Sequence, residues 1–142
     1  MLELLGCPDD ELSVLFVNDA GMAELNGRYR GEEEATDVLA FPMREGRFAD
    51  LPTGLLGDVV ISVETALRQA RPRTEKARPP EIRAGSPLGE EALRLLVHGT
   101  LHLLGHDHRT QGAGRRMKAE ERRCLRALQS RKKTALTAGR TS

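Results

Sequence analysis

Four histidines, the whole histidine content of the chain, lie within the single stretch His98–His108. Apolar residues before and within this stretch recur at helical spacing and predict a helix from about Gly89 to Leu104. On such a helix His98 and His102 are four residues apart, so both rings project from one face. Gly105 can adopt the left-handed conformation that ends helices, so the chain can turn back there towards the two rings.

The spacing of these histidines is typical of a catalytic zinc site, in which three neutral imidazoles leave one coordination position for water. A single histidine on a helix is usually packed or solvated, and a histidine-rich tract can bind metal adventitiously. Here the tract is part of a strongly apolar helix, which favours a built site. The helix fixes His98 and His102, whereas His106 and His108 are both candidates for the third ligand, and spacing leaves that choice open.

The residue after the first histidine argues against one class of metalloenzyme. In the H-E-x-x-H zinc peptidases this position is the glutamate that acts as general base. Here it is Gly99, which has no side chain. Proteolysis by that mechanism is therefore not expected.

The stretch His98–His108 resembles the signature of the YbeY family of bacterial endoribonucleases. Three other segments resemble motifs of the same family: Leu25–Arg30 (LNGRYR), Thr36–Pro42 (TDVLAFP) and Leu56–Ile61 (LGDVVI). The four segments occur in the family's order, and the resemblance extends over roughly residues 11 to 128.

Short strands alternate with helices along the sequence, which suggests a small mixed β-sheet flanked by helices. The resemblance implies an α+β sandwich with a zincin-like metal-binding helix at a cleft. It implies one Zn²⁺ ion bound by His98, His102 and His108, because the first, second and last histidines of the family signature are its ligands. The position of His106 is often aromatic in the family. It also implies a catalytic role for Arg30. Without the resemblance, an arginine after a helix is more commonly a solvated charge, although its guanidinium matches phosphate oxygens.

The activity that the resemblance implies is metal-dependent cleavage of single-stranded RNA, in maturation of the 3′ end of 16S ribosomal RNA and in ribosome quality control. The expected partners are ribosomal RNA and the small ribosomal subunit with its proteins, and not DNA. Two alternatives stay open from the residues themselves. One is a zinc metallopeptidase or amidohydrolase with Asp58 or Asp107 as general base. The other is a non-catalytic zinc module that binds ribosomal RNA, its site closed by His106 as a fourth ligand.

The composition leaves a nucleic-acid partner open. The 22 Lys and Arg residues balance 21 Asp and Glu residues, but acids concentrate in the first half and bases in the last third. Aromatic residues make up 3% of the chain, which argues against a stacking platform for single strands. The two cysteines form no C-x-x-C pair, and neither a signal peptide nor a membrane-length apolar run is visible. We therefore expect a soluble cytoplasmic protein without a membrane partner.

We predict one metal-hydrolase domain over residues 1–129, with a long loop at 71–88 inside it, and a basic, disordered tail at 130–142. Met1–Gly6 is predicted to be the end of a helix and Leu12–Val17 a strand. Proteins of the family that this chain resembles usually carry a strand and most of a helix before this point, so the resemblance implies that an N-terminal strand and most of a first helix are missing. The other predicted elements are strands at 36–41 and 55–61 and helices after Asn18, Ser62 and Gln111. For the first of these helices Asn18 or Asp19 is the candidate cap, and Met22, Leu25 and Tyr29 are candidates for its core face.

Two acidic residues fall within or beside predicted strands. Asp58 interrupts an apolar strand, where desolvation makes an unpartnered carboxylate costly. It is a candidate to accept a hydrogen bond either from a ligand histidine or from backbone donors. For Asp37 we favour a structural hydrogen bond. In the last helix the spacing predicts an inner face formed by Met117, Glu120, Cys124, Leu125 and Leu128.

Overall fold

The chain has the predicted α+β fold, built on a small mixed sheet. The computed structural model describes residues 1–31, 36–43, 55–70, 86–107 and 109–140, without the side chains of Arg30 and residues 131–140. Within these ranges there are three strands and four helices. In chain order they are β1 (Glu11–Val17), α1 (Asp19–Arg30), β2 (Val38–Pro42), β3 (Leu55–Ser62), α2 (Val63–Ala70), α3 (Pro87–Leu103) and α4 (Gln111–Arg140).

Strand β3 is the centre of the sheet, whose strand order is β1-β3-β2. It pairs in parallel with β1 and antiparallel with β2. A central strand is covered on both faces, which explains why β3 is almost continuously apolar. Near its start, Gly57 has a φ of 152°, and a Cβ there would lie 2.3 Å from the carbonyl oxygen of Phe41. Only glycine fits so close to the neighbouring strand.

Helices cover both faces of the sheet. On one face Met22 of α1 packs against Val60. On the other face α2 and α3 pack against the alternate residues of β3, including Val59. Helix α4 forms an outer layer, because Met117 and Cys124 pack against the side of α3 that faces away from the sheet. Helix α3 is therefore buried on two sides, which explains why its buried apolar residues occupy more than one stripe of the helix.

The starts of two helices follow their capping residues. The Asn18 side chain accepts a hydrogen bond from the backbone N–H of Gly21 (2.8 Å), which confirms one of the two predicted caps of α1. At α3 the Ser86 hydroxyl accepts from the backbone N–H of Gly89 (2.9 Å), and Pro87 occupies the first turn. The end of the predicted loop at residue 88 is therefore wrong, since Pro87 and Leu88 are helical. The loop residues before 86 lie outside the described part of the chain.

Three further features differ from the sequence predictions. Tyr29, which we placed towards the core, is 62% exposed and meets the ring of Phe41 edge-on, with the centroids 5.2 Å apart. Helix α4 continues to Arg140, through the segment predicted as a disordered tail, which is rich in the helix-favouring residues Lys, Arg, Leu and Ala. Residues 2–6 form turns and not the end of a helix.

Strand β1 forms one edge of the sheet and carries three exposed apolar side chains. Val14, Leu15 and Phe16 are 36%, 52% and 46% exposed. Within the described ranges, every helix is too short or too polar to cross a membrane.

Candidate metal centre

Two of the predicted ligands converge. His98 and His102 lie on successive turns of α3, and their Nε2 atoms are 3.1 Å apart. Their ring planes are inclined by 76° and their centroids are 4.7 Å apart. Two nitrogens bound to one tetrahedral zinc ion, each at about 2.0–2.1 Å, lie about 3.3 Å from each other. The pair therefore has the spacing needed to bind one ion.

A carboxylate from α4 holds the first of these rings. Nδ1 of His98 is hydrogen-bonded to Oε1 of Glu121, and 16% of the Glu121 side chain is exposed. A carboxylate at Nδ1 favours the tautomer that carries its proton there, which leaves Nε2 free to bind a metal. The packing of α4 on α3 therefore orients His98 as well as burying apolar surface.

The predicted inner face of α4 is confirmed for its apolar members. These members share a hydrophobic cluster with Val97 and Leu101 of α3. They are Met117, Cys124, Leu125 and Leu128. Glu120, the acid that we placed on this face, pairs instead with Arg123 at 2.9 Å. Its neighbour Glu121 is the acid that reaches His98 on α3.

The turn after α3 brings the chain back to the two rings. Gly105 has a φ of 95°, and its N–H donates to the carbonyl oxygen of His102 (3.0 Å). The N–H of His106 donates to the carbonyl oxygen of Leu101 (3.0 Å). These two bonds form the Schellman motif, which places a left-handed residue directly after a helix cap. The helix stop predicted at Gly105 is confirmed.

The rings face a cleft of about 540 Å³ between α3, the β2 segment and the turn. Apolar residues of β2 line one wall. The charged residues along the cleft are Asp37, just before β2, and Asp107 and Arg109, just after the turn. His106 lies at the same end of the cleft. The cleft can therefore hold a ligand that carries both apolar and charged groups.

Gly99 brings α3 against the sheet below the cleft. A Cβ at this position would lie 2.8 Å from Cγ1 of Val59 and 3.2 Å from Cγ2 of Val38. Real Cβ atoms essentially never approach another atom as closely as 2.8 Å. The packing thus explains why the position of the peptidase glutamate is a glycine here.

The donor chemistry of this pair fits a transition metal. Imidazole nitrogens suit zinc, and also copper, iron and nickel. Over the described ranges no group of three His, Cys, Asp or Glu side chains is placed to hold a metal ion. His108, the third predicted ligand, lies outside those ranges. The described residues therefore supply two histidines of a site.

Comparison with known proteins decides the family. The family model described as Endoribonuclease YbeY matches residues 2–129. The Endoribonuclease YbeY of Geobacter sulfurreducens is 40% identical over 132 residues, which are 92% of this chain and 81% of the relative. The chain belongs to the endoribonuclease YbeY family. The Endoribonuclease YbeY of Syntrophotalea carbinolica is 44% identical over 117 residues, which are 81% of this chain and 71% of the relative.

A solved structure shares the fold of this YbeY-family chain. The solution structure of TM1509 from Thermotoga maritima superposes with a TM-score of 0.51 at 22% sequence identity. The match covers 92% of this chain and 79% of the other. The family predicted from the four sequence motifs is confirmed by these comparisons.

The structure describes some of the other predicted site residues of this YbeY-family chain completely and others only in their backbone. Arg30 is the last residue of α1, and its side chain lies outside the described part of the structure. Asp107 lines the cleft. Asp58 lies in the middle of β3, opposite Phe41 on β2. The carboxylate bonded to His98 is Glu121, so the role considered for Asp58 at this ring is filled from α4.

Asp37 has a structural bond of the kind we expected, and it also lines the cleft. Its carboxylate accepts a hydrogen bond from Nε2 of Gln69 (3.4 Å). Its carbonyl oxygen accepts from the backbone N–H of Ser62 (2.9 Å), which ties the start of β2 to the end of β3.

Sequence reasoning missed two residues of the site, Glu121 and Arg109. Glu121 had a usable signal, because it lies four residues after Met117 and is an acid among the buried apolar positions of α4. A carboxylate in such a place needs a partner. No sequence pattern marked Arg109. It lines the cleft because the chain turns at Gly105 and then passes along the cleft.

Proposed function

We propose that this YbeY-family protein is a metal-dependent endoribonuclease that cleaves single-stranded RNA. His98, His102 and His108 hold one Zn²⁺ ion, and Arg30 binds the scissile phosphate. The observation that supports this proposal is the 3.1 Å separation of the His98 and His102 Nε2 atoms, with Glu121 bonded to Nδ1 of the first ring. A ligand histidine oriented by a carboxylate is the usual arrangement in metal hydrolases.

Each part of the site has a task in phosphodiester cleavage. A bound zinc ion supplies a Lewis acid that lowers the pKa of water and polarises a phosphoryl oxygen. Glu121 keeps the proton of His98 on Nδ1. The turn at Gly105 directs the next residues of the chain into the cleft. Arg30 donates hydrogen bonds to the phosphate and stabilises the negative charge that grows in the transition state.

The packing at Gly99 supports RNA cleavage over peptide hydrolysis. A peptidase of the H-E-x-x-H class needs a glutamate at this position, and Val59 leaves no room for a side chain there.

The ligand count supports an open site over a structural zinc module. Structural zinc sites are closed by four protein ligands. His106 lines the cleft but forms no three-residue metal cluster with His98 and His102 among the described residues. We therefore place His106 outside the ligand set, so that one coordination position stays available to water.

Ribosomal RNA is the proposed substrate, in particular the 3′ end of 16S ribosomal RNA. The protein acts in the cytoplasm, with the small ribosomal subunit and its proteins as partners, and takes part in ribosome quality control. Membership of the endoribonuclease YbeY family supports these assignments. The metal-hydrolase domain spans residues 1–129, and the family match over residues 2–129 supports that boundary.

The test is cleavage of an unstructured RNA oligonucleotide by the purified, zinc-loaded protein. We expect cleavage that a chelator abolishes and that added Zn²⁺ restores. The product ends show which group attacks. A 2′,3′-cyclic phosphate indicates the RNA 2′-hydroxyl, and a 3′-hydroxyl indicates water.

Two variants separate metal binding from catalysis. We expect His98→Ala to lose both metal and cleavage. Arg30→Ala should keep the metal and lose about 10²–10³ in kcat, the effect of removing one donor to a charged transition state. Arg28→Ala is the matched control, because Arg28 is exposed on the same helix and pairs with Glu24. Continued cleavage by metal-free His98→Ala protein would rule the proposal out.

A further inference from the structure

A second hollow lies beside the cleft, on the other side of the turn that follows α3. It has a volume of about 300 Å³ and is bounded by the turn and by the first two turns of α4. Gly105, His106 and Asp107 line both this hollow and the metal-site cleft. The two concavities therefore meet across the turn, and a bound chain could pass from one into the other.

Each concavity contains one arginine. Arg109 lines the cleft and Arg116 lines the second hollow, and both residues are exposed. The Arg116 guanidinium lies along the start of α4, since its NH1 atom is 3.5 Å from the place of a Cβ at Gly112. An arginine guanidinium is a fork of donors that suits phosphate oxygens.

The nearby carboxylates are bonded to other groups. Glu120, one turn after Arg116 on α4, pairs with Arg123 at 2.9 Å. Asp107, which lines both concavities, accepts a hydrogen bond from the backbone N–H of Arg109 at 3.1 Å. The ion pairs found among the described residues include neither Arg109 nor Arg116. Both guanidinium groups are thus positioned to bind an anion from outside the chain.

We propose that the second hollow is a phosphate subsite for the RNA strand cleaved in the adjacent cleft. Arg109 binds a phosphate inside the cleft, and Arg116 binds a phosphate beyond the turn, so the strand crosses over His106 and Asp107. This inference rests on the proposed nuclease function and extends it, because it assigns a direction in which the substrate leaves the metal site. Both arginines are positioning residues that bind the substrate without touching the reacting atoms.

The test compares Arg116→Gln with Arg115→Gln in the full-length, zinc-loaded protein. Arg115 is also exposed on α4 but does not line the hollow, so its variant carries the same loss of charge. For an unstructured RNA oligonucleotide we expect Arg116→Gln to raise KM about tenfold with kcat unchanged. The slope of log Kd against log salt should fall by about 0.7, the contribution of one phosphate contact on a single strand. Arg109→Gln should do the same, and Arg116→Lys should restore part of the affinity.

A dinucleotide substrate gives a second readout. The substrate is a dinucleoside monophosphate, whose single phosphate is the one that is cleaved. It cannot reach from the metal site into the hollow, so its cleavage should be insensitive to Arg116→Gln. Thermal unfolding of each variant shows whether it is folded. If Arg116→Gln changes KM and the salt slope no more than Arg115→Gln does, the subsite is disproved while the nuclease function stands. If the wild-type protein does not cleave RNA, the proposed function itself has failed.

Discussion

Single side chains hold the rings of His98 and His102 in position, and Glu121, which is bonded to Nδ1 of His98, is the most informative of them. We expect Glu121→Gln to weaken zinc binding about 10–100-fold, because the amide orients His98 without the negative charge that favours the metal-binding tautomer. Competition with a chromogenic chelator measures the affinity. Glu120→Gln is the matched control, since Glu120 pairs with Arg123. Equal zinc affinity in the two variants would show that Glu121 has no role at the metal.

Gly99 occupies the position of the general base in the H-E-x-x-H peptidases, and its lack of a side chain lets α3 pack closely on the sheet. Gly99→Ala should destabilise the fold by about 1–3 kcal/mol, because the new methyl group would overlap Val59 and force α3 away from the sheet. Gly112→Ala is the control: it lies in α4, its nearest neighbour is 3.5 Å away, and alanine should stabilise the helix by about 0.5–1 kcal/mol. Urea unfolding measures both changes. Unchanged stability in Gly99→Ala would contradict the close packing described here.

The residues of the site were predictable where their signal is local. The spacing of His98 and His102, and the position of Gly105 after an apolar helix, are properties of one segment, and the structure contains both features as predicted. Glu121 reaches His98 from 23 residues further along the chain. The contact between Glu121 and His98 therefore depends on how α4 packs on α3, which the pattern of residues in a single sequence does not specify. The ligand role of His108 and the catalytic role of Arg30 stay predictions.

At the scale of elements, α1 and α2 are joined by a polar cluster around Asp19. Its carboxylate accepts hydrogen bonds from the hydroxyls of Ser62 and Thr65, both at 2.7 Å, and pairs with Arg68 at 2.8 Å. The bond to Arg68, followed by those to Thr65 and Ser62, lowers the pKa of Asp19 from its usual 3.8 to about 2. These bonds link the first residue of α1 to the end of β3 and to helix α2.

This lowered pKa predicts how stability depends on pH. The folded state binds the Asp19 proton more weakly than the unfolded state does, so the cluster stabilises the fold above about pH 4. That contribution disappears as the pH falls through about 2. We expect Asp19→Asn to be less stable than the wild type at pH 7, and the difference to shrink towards pH 2. Urea midpoints across this range measure it, with Glu24→Gln as a surface control whose effect is small.

Element boundaries were predictable to the extent that capping residues mark them. Asn18 caps α1 as expected, whereas Ser86 and Pro87 start α3 earlier than the apolar periodicity indicated. Leu88 is already part of the core, but it follows Pro87 at the end of a proline-rich segment, so the apolar periodicity did not mark these two residues as helical. Spacing alone was misleading for Tyr29. Its position on α1 is compatible with a core residue, but the end of α1 extends beyond the surface on which the helix packs, so the Tyr29 ring is exposed.

At the scale of the whole molecule, the layer arrangement explains why helix α3 is buried on two sides. Helix α3 lies between the sheet, which it approaches at Gly99, and α4, which supplies Glu121. The order β1-β3-β2 and the outer position of α4 arise from contacts between distant segments. The alternation of short strands and helices in the sequence indicated a mixed sheet flanked by helices. The family resemblance supplied the expectation of a metal cleft.

Metal binding should stabilise the whole fold, and this effect identifies the ligands. A metal that binds only the folded state adds about 2.7 kcal/mol to the free energy of unfolding at a concentration one hundred times its Kd. We expect added Zn²⁺ to raise the melting temperature of the metal-free wild type and of His106→Ala. The variants His98→Ala, His102→Ala and His108→Ala should each lose this rise, because each lacks one of the three proposed ligands. If His106→Ala loses the rise and His108→Ala keeps it, the third ligand is His106.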